Sequence, residues 1–473
     1  MEAIRERSAG LDVHARSVTA CVLALGRDGS VAKEIRTFAT MTRSVLEMSR
    51  WLRSKSIEHV AMESTGVYWK PIWNLLEDDF ALILCNARHI KNVPGRKSDV
   101  KDSEWIAHLH LCGLLRASYV PPPSQRQLRD LTRQHAQLSG EKTRVVNRIH
   151  KILQDANIKL SSVASDIMGK SGRDMLEAIV EGCDDPEALA DLARGRLRGK
   201  MPELRESLLG RAREHHRWML GQLMAHASFL DGQLKELEAR IDATLWRLDH
   251  PQEDEPPPGS GNTSNGDDSS LQNDQAPAKP EKADQERCAP TLEELPRDAQ
   301  GKLIEPLSYE SAIALLDEVP GLAPHSLKLL LAETGVDMRR FPDEKHFCSW
   351  ARMCPGQNES AGKRKRSPTG KGNLWLRRVI SEMAWAASHA KGSYLSSFYR
   401  RLAPRRGKKR AIIALGHCLL VIVYHMLAYG RRYCDLGEKW LDMREPKRVK
   451  NYCVKRLRDI GYQVKLTPVQ DAA

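Results

Sequence analysis

Residues 251–296 contain almost no large apolar side chains, and this stretch most constrains how the chain can fold. Pro, Gly, Ser, Asn, Asp and Gln dominate it, and its acidic residues outnumber its basic ones. Such a segment cannot bury enough apolar surface to offset the conformational entropy that is lost on ordering. We therefore predict an acidic disordered linker at residues 251–304, with folded regions on both sides.

The folded regions are more basic than the chain as a whole. The 473 residues carry 74 Lys and Arg against 61 Asp and Glu, a net charge of +13. Leaving out the acidic linker increases this excess, and the basic residues are densest at 339–378 and 405–410. A positive excess of this kind favours a polyanionic partner such as a nucleic acid.

Composition argues against a membrane protein and against a secreted one. The longest apolar run, residues 411–427, is interrupted by Gly416, His417 and His425, whereas a spanning helix needs about 18 apolar residues. The first residues lack the apolar core of a secretory signal. The ten cysteines include no Cys-x-x-Cys pair, so we expect neither a disulfide framework nor a structural zinc site. We expect a cytoplasmic protein with no membrane partner.

The first 120 residues alternate between strand and helix patterns. Residues 18–25 and 31–38 predict two strands of a hairpin, joined by a Gly-Arg-Asp-Gly turn. Helices are predicted at 43–55, 68–77 and 100–115, with short strands at 59–62 and 82–85. This order predicts an α/β domain at residues 1–120, with a mixed sheet flanked by helices.

Residues 124–250 predict an α-helical coiled-coil spacer. Two heptad tracks run from Leu128 to Ile152 and from Leu220 to Leu248, and they can pair with each other or with a second chain. The polar face of the first track is basic, and a solvated face and a nucleic-acid-facing role are equally good explanations of it. Its basic residues are Arg126, Arg129, Arg133, Arg144, Arg148 and Lys151.

Residues 305–440 predict a mainly α-helical C-terminal domain, followed by a basic tail at 441–473. Its helical pattern contains the sequence VPGLAP at 319–324, between two apolar helical runs. A Pro-Gly turn between short helices resembles a helix-hairpin-helix element, whose turn amides can approach a phosphate backbone. An ordinary connection between two helices explains the same pattern.

Four carboxylates of the N-terminal domain lie near predicted strand ends or a predicted helix start. We place Asp12 at the opening of the first strand, Glu63 at the end of a later one, and Asp99 and Asp102 at the start of a helix. Brought to one point, they would repel one another unless a cation bound among them, and hard oxygen ligands suit Mg²⁺ or Mn²⁺. Taken singly, Asp12 could cap a turn, Glu63 could pair with Arg88, and either remaining aspartate could be an N-cap.

A second group of functional residues lies at 355–373. Four glycines and two prolines predict an irregular loop, in which basic residues surround small hydroxyl residues. A serine held there could attack a phosphorus atom, with the neighbouring cations stabilising the charge that develops. Composition alone favours the alternative, a basic nucleic-acid-binding or targeting-like run without a nucleophile.

Several motifs together resemble those of the DEDD-type insertion-sequence transposases, which are bridge-RNA-guided serine recombinases. In the N-terminal half these are GLDVH at 10–14, MESTGVY at 62–68 and KSDVKDSEWIA at 97–107. In the C-terminal half they are VPGL at 319–322, FCSWARMCP at 347–355, SAGK at 360–363 and GNLWLRR at 372–378. The resemblance covers about residues 8–250 and 305–435, and the acidic linker is unmatched.

The resemblance implies a role for particular residues of this chain. It implies that Asp12, Glu63, Asp99 and Asp102 are the metal-binding quartet of an RNase H-like domain, with Mg²⁺ or Mn²⁺ as cofactor. It implies that Ser360 is the nucleophile that forms a phosphoserine link to DNA. The partners it implies are element-end DNA, target DNA, a noncoding bridge RNA and further copies of the chain in a tetramer, a dimer of dimers, in a bacterial cytoplasm at the nucleoid.

Charge alone, and not a motif, suggests which residues near the serine contact the nucleic-acid backbone: Lys363, Arg364, Lys365, Arg366, Lys371, Arg377 and Arg378. Two alternatives to a recombinase stay open. One is a metal-dependent endonuclease of the Holliday-junction type without a covalent intermediate. The other is a nucleic-acid-binding scaffold without chemistry.

Overall fold

The structure is a computed structural model. It describes residues 4–26, 28, 30–64, 66–93, 101–252, 295–355, 359–360, 362–364, 369–370, 372–444 and 446–467. Most of the predicted linker, residues 253–294, lies outside the described residues. The chain divides into two compact units, Met1–Pro122 and Pro123–Ala473.

The N-terminal unit is an α/β domain, as predicted. Its elements are β1 (Arg7–Val13), β2 (Ser17–Leu25), β3 (Val31–Ala39), α1 (Thr42–Ser54), β4 (His59–Glu63), α2 (Trp69–Leu76), β5 (Ala81–Cys85), α3 (Ala87–Asn92) and α4 (Asp102–Leu111). The predicted hairpin, the two later strands and three of these helices are confirmed to within a few residues. The short helix α3 was not predicted.

The five strands form one mixed sheet in the order β3-β2-β1-β4-β5. Strands β1, β2 and β3 pair antiparallel, while β4 and β5 run parallel to β1. Helices cover both faces: Val45 and Leu52 of α1 and Ile72 of α2 lie in the core on one face, and α4 covers the other. This arrangement is consistent with an RNase H-like domain.

Strand β1 is central and begins earlier than expected. Asp12 was predicted to open the first strand, but it is the penultimate residue of β1, so that prediction is wrong. Both faces of β1 are covered, and Ser8, Ala9 and Leu11 are all fully buried. A strand buried on both faces lacks the apolar–polar alternation by which its start could be recognised in the sequence.

The C-terminal unit is mainly α-helical. Its elements are α5 (Pro123–Asp155), α6 (Lys170–Glu181), α7 (Pro186–Asp191), α8 (Met201–Leu208), α9 (Glu214–Asp249), α10 (Tyr309–Leu316), α11 (Pro324–Thr334), α12 (Glu344–Trp350), β6 (Glu359–Ser360), β7 (Lys363–Arg364), α13 (Leu374–His389), α14 (Tyr394–Arg406), α15 (Lys408–Tyr429), α16 (Trp440–Arg444) and α17 (Pro446–Asp459).

The two heptad helices, α5 and α9, pair with each other within the chain. Heptad residues such as Val145 and Ile149 of α5 and Leu220 and Leu230 of α9 are buried in one apolar cluster, which also contains residues of the smaller helices α6, α7 and α8. The sequence left open whether these helices pair within or between chains. In this structure the pairing is intramolecular.

Helices α10 to α15 share a second apolar cluster with the outer ends of α5 and α9. Leu128 of α5 and Ile241 and Leu245 of α9 pack into it. Leu303, placed in the predicted linker, is also buried there, and its N–H donates to the Ala428 carbonyl oxygen at 2.9 Å. The coiled-coil helices and the C-terminal helices therefore form one continuous packing unit.

Helix α15 extends the apolar run at 411–427 at both ends, from Lys408 to Tyr429. Among the described residues it is the one helix that could cross a membrane by length and composition alone. Its residues Leu415, Leu419 and Val423 are buried, and it packs against α12, α13 and α14. Its apolar side chains therefore form the centre of the C-terminal core.

Candidate active site

The register of β1 and β4 brings two of the predicted carboxylates together. The two strands are parallel, and Gly10 pairs with Ala61 and Leu11 with Met62. Asp12 and Glu63 are the next residues along each strand, at the same edge of the sheet. They also share a face, because residues two apart on a strand project to the same side and Ala61 packs under α4.

Helix α4 runs antiparallel to β1 on that same face, so its N-terminus points to the edge that carries Asp12. The Ser8 hydroxyl donates to the Ala107 carbonyl oxygen at 3.2 Å, near the start of the strand. Further along the strand, a Cβ atom on Gly10 would lie 2.3 Å from the Ser103 carbonyl oxygen. Asp102 is the first residue of α4, and it therefore lies at the end nearest to Asp12.

Asp102 is not the N-cap that the structural alternative proposed, because Lys101 holds that position and makes no side-chain cap bond. Asp12 has a partner that the sequence analysis did not single out. His14 Nε2 lies 3.2 Å from Asp12 Oδ2, and the Asp12 side chain is 19% exposed. The signal was present, because His14 closes the GLDVH motif, but no role was assigned to it.

The three described carboxylates offer the hard oxygen donors that Mg²⁺ prefers, from two strand ends and a helix start. They do not form a closed cage. Where the structure describes side chains, the groups of three potential ligand atoms within 4.8 Å of one another lie elsewhere, at His135, Glu238 and His325 and at Asp155, His215 and His216. Asp99 lies outside the described residues, so the set is described in part.

Ser360 lies in a two-stranded hairpin, not in an irregular loop. Strand β6 pairs antiparallel with β7, with Ser360 opposite Lys363 and Glu359 opposite Arg364. Gly362 has φ +72°, the left-handed conformation that a tight turn requires and that glycine adopts without strain. The expectation that glycines and prolines exclude regular structure was therefore wrong at these positions, because a two-residue turn uses the glycine.

Arg377 of α13 holds both ends of the segment that contains the hairpin. Its guanidinium donates to the carbonyl oxygen of Arg352 at 3.0 Å and to that of Gly370. Because Pro355 and Thr369 form a bridge, these bonds fix both ends of the segment that contains Ser360. Arg377 thus positions the backbone of this segment.

Asn373 and Glu333 anchor the start of α13. Asn373 is the N-cap: its Oδ1 accepts from Trp375 N at 3.0 Å, and its Nδ2 donates to Glu333 Oε2 at 2.6 Å. Glu333 is 2% exposed and receives two bonds from Arg133, at 2.7 and 2.9 Å. A buried carboxylate with these partners links α11, α13 and α5.

Two arginines of the basic face of α5 therefore have an internal role. Arg133 pairs with Glu333, and Arg129 Nε donates to the Ala332 carbonyl oxygen at 2.9 Å. For these two residues, neither a solvated face nor a nucleic-acid-facing role is correct, because their guanidinium groups join α5 to α11. The sequence could not separate them from their neighbours, since the partner lies about 200 residues away along the chain.

The structure describes some of the remaining predicted contact residues and leaves others outside the described part of the chain. Arg378 is 47% exposed and pairs with Glu382 at 2.9 Å. Lys365, Arg366 and Lys371 lie outside the described residues, and Lys363 and Arg364 are described as strand β7. A further basic run at the junction of α14 and α15 is exposed: Arg405, Arg406, Lys408, Lys409 and Arg410.

Comparison with protein families identifies both halves of the chain. A transposase model for the DEDD type of IS110 elements matches residues 9–158, which include Asp12, Glu63, Asp99 and Asp102. A model described as Transposase IS116/IS110/IS902 family matches residues 313–400, which include Ser360. No curated protein matches the chain. Both models describe IS110-type transposases, so the chain belongs to the DEDD-type IS110 family of insertion-sequence transposases.

Proposed function

We propose that this transposase cuts and rejoins DNA through a phosphoserine intermediate formed by Ser360, with Asp12, Glu63, Asp99 and Asp102 binding a divalent cation. The observation that carries the proposal is the β1–β4 register, which gives Asp12 and Glu63 neighbouring positions at the sheet edge to which the start of α4 points. Carboxylates gathered in this way are stabilised by a cation.

In the proposed reaction, each phosphorus–oxygen bond that breaks is replaced by a new one. The Ser360 hydroxyl oxygen attacks a DNA phosphorus atom, a P–O bond to one DNA strand breaks, and the serine proton passes to the strand oxygen that leaves. The product is a serine phosphodiester, and the hydroxyl of a second strand reverses the step, which regenerates serine. When bound, Mg²⁺ or Mn²⁺ at the carboxylates would neutralise negative charge on phosphate oxygens.

The chain supports this step with positive charge and fixed backbone. Lys363 lies opposite Ser360 in the hairpin, and Arg377 holds the carbonyl groups at either end of that segment. We propose that Arg378 and the basic residues 363–366 and 371 contact the DNA or RNA backbone. Bridge RNA, element-end DNA and target DNA are the proposed partners, and a tetramer is the proposed assembly, in the cytoplasm at the nucleoid.

The first experiment tests the serine. We expect Ser360→Ala to abolish covalent protein–DNA adducts and strand transfer, with the DNA and RNA affinities unchanged. Ser367→Ala is the matched control in the same segment and should retain both activities. The measurement is adduct formation on labelled element-end DNA with Mg²⁺ and the element's RNA. Adducts that persist in Ser360→Ala would rule out Ser360 as the nucleophile.

The same assay separates recombination from hydrolysis. Asp12→Ala should abolish DNA cleavage in both mechanisms. If Ser360→Ala still cleaves DNA and free 5′-phosphate ends accumulate, the carboxylates support a hydrolytic junction endonuclease instead. If wild-type protein leaves DNA unchanged but binds it in a salt-dependent way, the chain is a binding scaffold.

A further inference from the structure

A group of two histidines and a glutamate lies where three helices of the C-terminal unit meet. His135 is on α5, Glu238 on α9 and His325 near the start of α11, and one ligand atom from each lies within 4.8 Å of the other two. These residues are far in the chain from the four carboxylates, and the reaction proposed above does not use them.

His135 is the buried member of the group. It is 5% exposed, and its Nε2 lies 3.1 Å from Glu238 Oε1. Its Nδ1 is buried without a hydrogen-bond partner among the described residues. Because Nε2 is the ring nitrogen beside Glu238, an ion shared with Glu238 would bind Nε2, and Nδ1 is not one of its ligands.

His325 lies against His135, with their ring centroids 4.6 Å apart. Two rings this close would repel if both were protonated, and a neutral imidazole is the form that binds a metal. Glu238 is 51% exposed, which leaves an entry path for an ion from solvent.

The helices that carry the group are held at fixed positions by further contacts. Lys328, one turn along α11 from His325, pairs with Asp242, one turn along α9 from Glu238. At the other end of α11, Glu333 binds Arg133 of α5. The three ligands thus stand on packed helices and not on loops, which is what a preorganised site requires.

We propose that His135, Glu238 and His325 bind one divalent transition-metal ion of the zinc type, which joins α5, α9 and α11. Two imidazoles and one carboxylate are a ligand set that Zn²⁺ and its neighbours accept, with a fourth position for water. Mg²⁺ prefers an all-oxygen set and is not expected to compete. The ion acts as a cross-link between the paired helices and the C-terminal helices.

The test uses the full-length chain after metal is removed with a chelator, in excess Mg²⁺ to occupy the N-terminal carboxylates. Zn²⁺ is titrated by calorimetry, and Co²⁺ serves as a coloured probe of its coordination. We expect one Zn²⁺ per chain and a higher midpoint of thermal unfolding when it is bound. Both His325→Ala and Glu238→Gln should weaken binding by at least about 100-fold.

These two variants change partly exposed side chains, and Glu238→Gln keeps an oxygen that can accept from His135. His215→Ala is the matched control, because it removes a histidine from the other group of three, in which both nitrogens of His216 already have hydrogen-bond partners. It should leave Zn²⁺ affinity unchanged. Equal binding by wild type, His325→Ala and Glu238→Gln, or loss of binding in Asp12→Ala or His215→Ala, would overturn the proposal.

Discussion

The two candidate sites of this transposase are built in different ways. The carboxylate edge is set by backbone geometry, since the register of β1 and β4 gives Asp12 and Glu63 their positions, and the close approach of α4 to Gly10 positions Asp102. The serine hairpin contains only two residues in each strand, and side chains hold its surroundings. A sheet edge resists local change, whereas a short hairpin depends on its anchors.

The difference predicts which kinds of substitution disturb each site. In the N-terminal unit, a change that displaces the carboxylates from one another must alter backbone packing. In the C-terminal unit, loss of a single buried side chain is enough, because Glu333 connects Asn373 at the start of α13 with Arg133 of α5.

The largest expected effect is that of Glu333→Ala. It removes the partner of the Arg133 guanidinium and leaves a partly buried charge without its carboxylate, which for buried pairs costs about 3–5 kcal/mol. We expect a loss of this size in the free energy of unfolding of the C-terminal unit, measured in urea, together with loss of strand transfer.

The matched control is Glu382→Ala, which breaks the exposed pair with Arg378 on the same helix α13. It should cost less than about 0.5 kcal/mol, since exposed pairs four residues apart contribute little. Equal losses in the two variants would show that the hairpin does not depend on the buried anchor.

The next effect tests the backbone side of the comparison. In Gly10→Ala the new methyl group would lie 2.3 Å from both the Ala107 nitrogen and the Ser103 carbonyl oxygen, so α4 must move away from β1. Overpacking of this kind costs about 1–3 kcal/mol, and we expect the upper end because both obstacles are backbone atoms. Hydrogen exchange of the α4 amides should accelerate.

Gly232→Ala is the control, because nothing lies within 4 Å of its added methyl group in the middle of α9. It should raise stability by about 0.5–1 kcal/mol, since alanine favours a helix interior. If Gly10→Ala leaves α4 protection intact, the close approach does not position the helix start.

The sequence predicted the elements well and their partners poorly. The strand and helix periods placed β2 to β5 and both heptad helices, because these patterns are local. Whether α5 pairs with α9 or with another chain is not a local property. It is decided by the spacer helices, whose buried residues such as Met175 and Leu204 close the pair into one core.

The site predictions differ for the same reason. Glu63 was correctly placed at a strand end, because a strand end can be recognised from its own residues. The internal role of Arg129 and Arg133 was missed, because Glu333 lies on a helix that no local pattern connects with α5. Buried ion pairs between distant elements are set by tertiary packing, and charge counts do not reveal them.

The smallest predicted effect, counted per pH unit, is a pH dependence of the stability of the N-terminal unit. His110 of α4 is 1% exposed, and Ser8 of β1 bonds its Nδ1 at 3.0 Å, so it joins the same two elements as Gly10. Burial, followed by the charge of Arg5 and by His59, lowers the pKa of His110 from 6.5 to about 4. As the pH falls, His110 therefore takes up a proton near pH 6.5 in the unfolded chain but only near pH 4 in the folded chain. The contribution of His110 to stability is present above pH 6.5 and falls by about 1.4 kcal/mol for each pH unit between pH 6.5 and pH 4.

Urea unfolding of wild type and His110→Asn across this range measures this contribution, since asparagine can keep the Ser8 bond but does not titrate. The slopes of the free energy of unfolding against pH should differ between the two proteins by an amount that corresponds to about one proton. Parallel slopes would show that the attachment of α4 at His110 is insensitive to pH.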